Sequence, residues 1–276
     1  MRVGNAKVCG LAHTEQHNAC IVRRIKSSKA CKLMNPEARL ENQNHVLEPL
    51  THVLAIDGPS GSGKGTISRS VARALGWHFL DSGALYRVVG LAANKANVDL
   101  SDEAAVVAVA KTSSFRFFER EIDDPRVILD DIDVTDAIRT EIVAAAASQV
   151  AAFSAVRDVL LNKQRELRQP PGLVADGRDM GTVVFPDARL KIFLEASVNE
   201  RAQRRYKQLM QNGVSAKLAD LLQDLTARDL RDRSRAVAPL KCAEDAILID
   251  STDMSIEDVF SAVMAHAERV GIYAVA

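Results

Sequence analysis

Val53-Leu-Ala-Ile-Asp57-Gly58-Pro-Ser-Gly-Ser-Gly63-Lys64-Gly65-Thr66 is an apolar run, an acid, a glycine-rich loop and a lysine in immediate succession. The apolar run has the length of a buried strand. Ile67, Val71 and Leu75 then recur every four residues, which predicts a helix starting just after the loop. Strand, glycine loop, lysine and helix in that order are the context a phosphate-binding loop requires. Glycines let backbone N–H groups turn inward without side-chain clash, and the helix N-terminus adds positive potential. Gly58, Pro59, Ser60, Gly61, Ser62, Gly63, Lys64, Gly65 and Thr66 are therefore the candidate phosphate cradle. Lys64 can reach β- and γ-phosphates as a point charge.

Outward from the loop, strands and helices alternate. Trp77–Leu80 reads as a second strand, and Ser82 as the N-cap of a helix running to about Ala96. A further helix is expected from near Ser101 to Lys111. Residues 114–135 break the alternation: 115–118, 126–129 and 132–134 look like short strands joined by acidic turns, a small antiparallel insertion. Helices are expected over 136–149 and 154–168, the second stopped by Pro170-Pro171-Gly172. Leu173–Ala175 and Leu190–Leu194 are buried-type strands. Ser197-x-x-Glu200 reads as a capping box opening a helix that ends near Gly213. A long helix carries Leu218, Leu221, Leu222 and Leu225; Ala246–Ile249 is a last strand. Ser255 begins a closing helix with Val259, Val263 and Val270 inward. Strands separated by helices predict an α/β fold, a parallel sheet with helices on both faces and ligands at the carboxyl ends of the strands.

The chain has 276 residues, 47% hydrophobic and 26% charged, with 36 basic and 36 acidic residues. That balance disfavours a strongly basic nucleic-acid binder, and no apolar run approaches the ~18–20 residues of a membrane span. Residues 1–33 hold seven basic residues (Arg2, Lys7, Arg23, Arg24, Lys26, Lys29, Lys32) and one acid, Glu15. Residues 1–50 lack sustained periodicity and read as a basic, disordered leader, with Met34 an alternative start. Cys9, Cys20 and Cys31 lie in that leader and Cys242 alone beyond it, which fits a reducing cytosol. Residues 51–276 are the expected functional domain, with the insertion at about 108–148.

Two further groups of residues follow predicted strand ends or close the long helix. Asp176 ends the Leu173–Ala175 strand and is either a ligand for Mg²⁺ through water or a cap or turn aspartate. Gly177-Arg178-Asp179-Met180-Gly181 follows it. Arg228-Asp-Leu-Arg231-Asp232-Arg233-Ser-Arg235 closes the long helix, with 228, 232 and 235 on one face. Such a run is either a solvated, salt-bridged helix end or, beside a phosphate loop, a lid over about 200–236 that delivers arginines to transferring phosphates. The residue after Lys64 is Gly65, with Thr66 one place later. GTPases and motor ATPases usually keep a hydroxyl directly after the lysine, and the Gly-Lys-Gly-Thr form resembles nucleoside monophosphate kinases instead.

Five stretches resemble the bacterial cytidylate kinase family: Ile56–Thr66, Leu80-Asp-Ser-Gly-Ala-Leu-Tyr-Arg87, Ala147-Ser-Gln-Val-Ala-Ala-Phe153, Ala175-Asp-Gly-Arg-Asp-Met-Gly-Thr-Val-Val-Phe-Pro186 and Arg231-Asp-Arg-Ser-Arg-Ala-Val-Ala-Pro239. The resemblance covers nearly all of residues 53–272. It implies a P-loop NTPase fold with a five-stranded parallel sheet, a nucleotide-binding antiparallel insertion and an arginine-rich helical lid. It implies transfer of the γ-phosphoryl group of ATP to CMP or dCMP, with Mg²⁺ at Thr66 and Asp176. By the same resemblance, Ser148, Arg157 and Asp179 read the cytosine edge, and Arg228 and Asp232 meet the ribose. Arg87, Arg178 and Arg235 clamp the acceptor phosphate, Ser82 belongs to the substrate site, and Arg231 joins Lys64, Arg178 and Arg235 in stabilising the transfer. The expected protein is a cytoplasmic monomer whose partners are nucleotides, without nucleic acid or membrane. Competing readings are a kinase for UMP, AMP or shikimate, and a non-enzymatic P-loop switch whose basic leader contacts RNA.

Overall fold

The computed structural model describes residues 51–119, 125–211 and 213–274. The expected leader at 1–50 and the alternative start at Met34 lie outside them.

Among the described residues eight strands and eight α-helices follow one another as β1 (His52–Asp57), α1 (Lys64–Leu75), β2 (His78–Asp81), α2 (Ser82–Lys95), α3 (Glu103–Thr112), β3 (Phe115–Glu119), β4 (Pro125–Leu129), β5 (Ile132–Asp133), α4 (Glu141–Val150), α5 (Ser154–Arg165), β6 (Gly172–Gly177), β7 (Leu190–Glu195), α6 (Val198–Gln211), α7 (Leu218–Ser234), β8 (Ile247–Asp250) and α8 (Ile256–Arg269). A parallel five-stranded sheet runs β2-β6-β1-β7-β8, so β1 is central and its loop opens at the middle of the sheet's C-terminal edge. Register places Ile56 beside Asp176 and Leu80 beside Ala175. The three chemistry-bearing turns after β1, β2 and β6 therefore emerge side by side.

The pleat sorts the core. Val53, Ala55, Leu173 and Ala175 face α2, α3, α4 and α5, while Leu54, Ile56, Val174 and Ile192 face α1 and α8. Full burial of each Leu, Ile or Val contributes about 1.5–3 kcal/mol. The expected insertion is a three-stranded antiparallel sheet, β3-β4-β5, whose Val127 and Leu129 pack on Ala84, Val88 and Ala92 of α2.

Several local expectations are corrected. Trp77 precedes β2 and is buried against the core. Asp81, not Ser82, caps α2: its extended backbone lets its carboxylate accept from Ala84 N at 3.0 Å. The helix expected over 136–149 is a 3₁₀ turn, Ala137–Arg139, followed by α4, because Thr140 is extended and caps α4 through Val143 N. Only half of the Ser197–Glu200 box forms. Ser197 Oγ accepts from Glu200 N at 3.2 Å, but Glu200 turns to Arg204 and Ser197 N donates to Thr252 Oγ1. Val270 lies just past α8. A π-helical turn, Met180–Val184, follows Asp179 with no foreshadowing in the residue pattern.

Among the described residues no single helix is long and apolar enough to cross a membrane.

Candidate active site

The cradle begins at Gly58. Its φ of 155° and a backbone oxygen, Leu194 O, only 2.1 Å from where a Cβ would stand leave room for no other residue. Gly63 precedes α1 in a left-handed conformation and supplies no side-chain cap. The N-terminal end of α1 is thus left for an anion. Lys64 opens the helix and folds back, donating from Nζ to Pro59 O at 2.9 Å. Burial and then the nearby Arg178 push its amine down to about 7, with Asp176 opposing. A buried ammonium so destabilised is poised to gain a phosphate partner.

Gly65 is explained by its neighbour. A Cβ there would stand 3.2 Å from Asp176 Oδ2, so glycine after Lys64 allows the β6 carboxylate to approach the start of α1. Asp176 is buried, and Oδ1 has no hydrogen-bond partner among the described residues. Burial pushes its carboxyl up to about 6 against the pull of Lys64. An orphaned oxygen of this kind suits Mg²⁺, which binds through one or two carboxylates, waters and substrate phosphates. Thr66 follows Gly65 in the first turn of α1 and is exposed. Among the described residues no group of three or more His, Cys, Asp or Glu could hold a metal by itself, so such an ion would depend on the nucleotide.

Facing the cradle is a cationic wall. Arg178 Nε donates to Asp232 Oδ2 at 3.0 Å, and Arg235 Nη2 to Oδ1 at 2.7 Å. Arg228, one turn before Asp232 on α7, is half-buried, and its buried Nε is without a partner among the described residues. Burial, then Arg178, push it down to about 10. Arg87 Nη2 pairs with Asp81 Oδ2 at 2.6 Å, and its Nε is likewise buried without a partner. Arg231 Nε donates to Ser148 Oγ at 3.3 Å. One buried carboxylate, Asp232, thus serves three arginines, and the wall is short of negative charge.

Beside it lies a deeper polar pair. Arg157 Nη2 donates to Asp179 Oδ2, both nearly inaccessible, and the guanidinium sits 5.5 Å from the Tyr86 ring centroid. Arg157 Nη1 also reaches Ala151 O at 3.4 Å. Ser82 stands apart: its hydroxyl donates to Gln164 Oε1 at 2.7 Å.

Sequence reasoning did not single out the struts of this site. Arg201 on α6 donates to Ser60 O at 2.9 Å and grips Asp229 of α7 with both terminal nitrogens, at 3.2 and 2.5 Å. Arg204 donates to Ser62 O at 3.4 Å and Ser251 O at 2.6 Å. The phosphate loop, α6 and α7 are therefore tied through α6. The signal was weak, since arginines on an amphipathic helix ordinarily face water. Asp57 accepts from Met180 N and Gly181 N, each at 2.8 Å. Burial pushes it up to about 7 against those two bonds. Its signal was an acid ending a fully apolar strand.

A family model for cytidylate kinase matches residues 54–269. The cytidylate kinase of Aeromonas salmonicida (strain A449) is 55% identical over 217 residues, covering 79% of this chain and 94% of its own. That of Pseudomonas aeruginosa (strain UCBPP-PA14) is 57% identical over 220 residues, covering 79% and 96%. A solved gluconokinase from Sinorhizobium meliloti 1021 aligns with a TM-score of 0.39 at 15% identity over 80% of this chain and 94% of its own, too distant a likeness to inform the site.

Proposed function

The chain belongs to the cytidylate kinase family, and from that premise we propose that it transfers the γ-phosphoryl group of ATP to CMP or dCMP in the cleft between the phosphate loop and the α7 arginines. The observation that carries this reading is Arg228, whose buried Nε has no partner among the described residues, opposite a buried and destabilised Lys64. Such a cluster demands anions from both sides of the cleft, as transfer between two nucleotides supplies.

The donor phosphates lie on the loop from Gly58 to Thr66, with Lys64 leaving Pro59 O to meet them. The acceptor phosphate lies among Arg87, Arg178 and Arg235, with Arg231 completing the charge stabilisation. Arg228 and Asp232 meet the ribose. The acceptor phosphate is already a nucleophile, so positioning and charge stabilisation suffice and no protein base is needed. Asp176 and Thr66 would hold Mg²⁺, which when bound neutralises charge on the phosphates. Arg157 donates to the O2 and N3 side of cytosine, while Ser148 and Asp179 accept from the 4-amino group. Uracil carries an oxygen there, which a carboxylate repels. Ser82 supports the site through Gln164. The helices α6 and α7 act as the lid over 200–236, and the strands β3–β5 belong to an insertion, about 108–148, that flanks the acceptor. The enzyme acts as a cytoplasmic monomer without nucleic acid or membrane partners.

The test is ADP release from ATP–Mg²⁺ with a panel of acceptors. CMP and dCMP far above UMP, AMP and shikimate is the expected result. Turnover led by another acceptor would overturn the assignment of Ser148, Arg157 and Asp179.

A further inference from the structure

Asp179 occupies the N-cap position of the π-helical turn Met180–Val184, where an aspartate ordinarily turns its carboxylate onto the first free N–H groups. It makes no such bond. Its backbone, at φ −148° and ψ 23°, instead sends the side chain to Arg157. The N–H groups it leaves are taken by a carboxylate from another part of the chain: Asp57, at the end of β1, accepts from Met180 N with one oxygen and from Gly181 N with the other. Asp57 lies beside Gly177 in the register of β1 and β6, so the sheet itself holds it under the turn. Gly181 eases the approach, because a Cβ there would stand 3.1 Å from the Lys191 side chain, which would have to give by a few tenths of an ångström, and 3.5 Å from Asp57 Oδ2.

We propose that Asp57 is a positioning residue for acceptor recognition, capping the turn in place of Asp179 so that the Asp179 carboxylate is free to orient Arg157. Without Asp57, two buried N–H groups lose their acceptor, and leaving such groups bare is costly. Asp179 is the nearest carboxylate in sequence and would rotate back onto Gly181 N, releasing Arg157. Asp57 is buried with both oxygens on the turn, so its effect runs through Asp179. The proposal rests on the reading that Arg157 and Asp179 meet the cytosine.

The experiment is Asp57→Asn in the full chain, which keeps the side chain's size and one acceptor oxygen but replaces the other with a donor. Two measurements are made: a crystal structure, and kcat/KM for CMP and for UMP. Asp179→Ala is measured in parallel. The expected structure has the Asp179 carboxylate on Gly181 N, the second residue of the turn, and away from Arg157. The expected kinetics are a CMP-over-UMP preference reduced about tenfold, a raised KM for CMP and an unchanged KM for ATP, since the phosphate loop is untouched. Asp179 still on Arg157 overturns the proposal, as does a lowered melting temperature with the preference intact while Asp179→Ala changes it. A preference unchanged in both variants overturns the cytosine reading, and the crystal structure then decides the capping role alone. If Asp57→Asn does not fold, Gly181→Ala perturbs the same bond from its other end, with the same two readouts.

Discussion

Arg178 and Asp232 join the β6 turn to the last turns of α7 by a 3.0 Å hydrogen bond in a site where Asp232 is almost wholly buried. Arg235 takes the second oxygen and Arg228 lies one turn away. Burial would raise the Asp232 carboxyl, but Arg178, Arg235 and Arg228 together hold it below the usual carboxylate range. The cationic wall is therefore organised around one anion before any nucleotide arrives, and a bound phosphate would supply the negative charge that remains wanting.

Asp232→Asn should destabilise the protein by about 3 kcal/mol at neutral pH, because it leaves buried guanidinium groups uncompensated. A carboxylate whose native pKa is depressed contributes stability above its unfolded value, and that stability is lost as pH falls through the native value. The gap between native protein and variant should therefore close in strong acid. Urea unfolding at neutral pH and at successively lower pH, well below the ordinary carboxylate range, checks both the size and the sign. A gap that persists in acid would contradict the charge account.

Lys64→Ala should reduce turnover by about two to three orders of magnitude with the fold retained, since it removes a charge aimed at the transferring group. The native lysine carries a second prediction. With its amine pushed down to about 7, Lys64 is largely neutral at about pH 8, and phosphates should restore its proton. ATP binding should then take up on the order of one proton, seen as a buffer-dependent binding enthalpy that Lys64→Ala abolishes. Equal enthalpies in buffers of different ionisation heat would refute it.

Two glycines of the cradle should respond differently to alanine. At Gly58 the new methyl meets Leu194 O in a left-handed backbone, and a loss of about 3 kcal/mol or a failure to fold is expected. At Gly65 it meets Asp176 Oδ2 at a separation that a few tenths of an ångström relieves, and Arg69 Nη2 at ordinary contact. Gly65→Ala should melt close to the native protein yet raise the Mg²⁺ concentration needed for half-maximal turnover. Thermal unfolding and a Mg²⁺ titration separate the two.

Much of this arrangement was legible in the residue pattern because it is local. The run Val53–Asp57 with the loop to Thr66, the β-branched insertion strands and the leucines of α7 all express their neighbours' spacing. What escaped is made of long-range pairs. Arg201 on Ser60 and Asp229, Asp57 beneath Met180, and Gln164 on Ser82 each connect residues whose partnership depends on the sheet order. Asp81 displaced Ser82 as the cap because β2 runs one residue beyond its apolar run, leaving the aspartate extended and its carboxylate over Ala84 N. The π-helical turn after Asp179 is equally non-local, since its first N–H groups are held by β1.

Closure of the lid is testable without kinetics. Arg201 ties α7 to the phosphate loop through Asp229, so occupancy of the loop should be felt along α7. ATP and CMP together should slow amide exchange over residues 215–236 by at least about tenfold relative to either alone, as kinases exclude water before transfer. Exchange unaltered by the pair would remove the lid from the mechanism.

The most direct measurement is the ratio of kcat/KM for CMP to that for UMP, in the native protein and in Asp179→Ala. The buried Arg157–Asp179 pair should make the native ratio large, and loss of the carboxylate should shrink it by about tenfold or more, since the oxygen of uracil is no longer repelled. An unchanged ratio would contradict the claim that this pair selects the acceptor base.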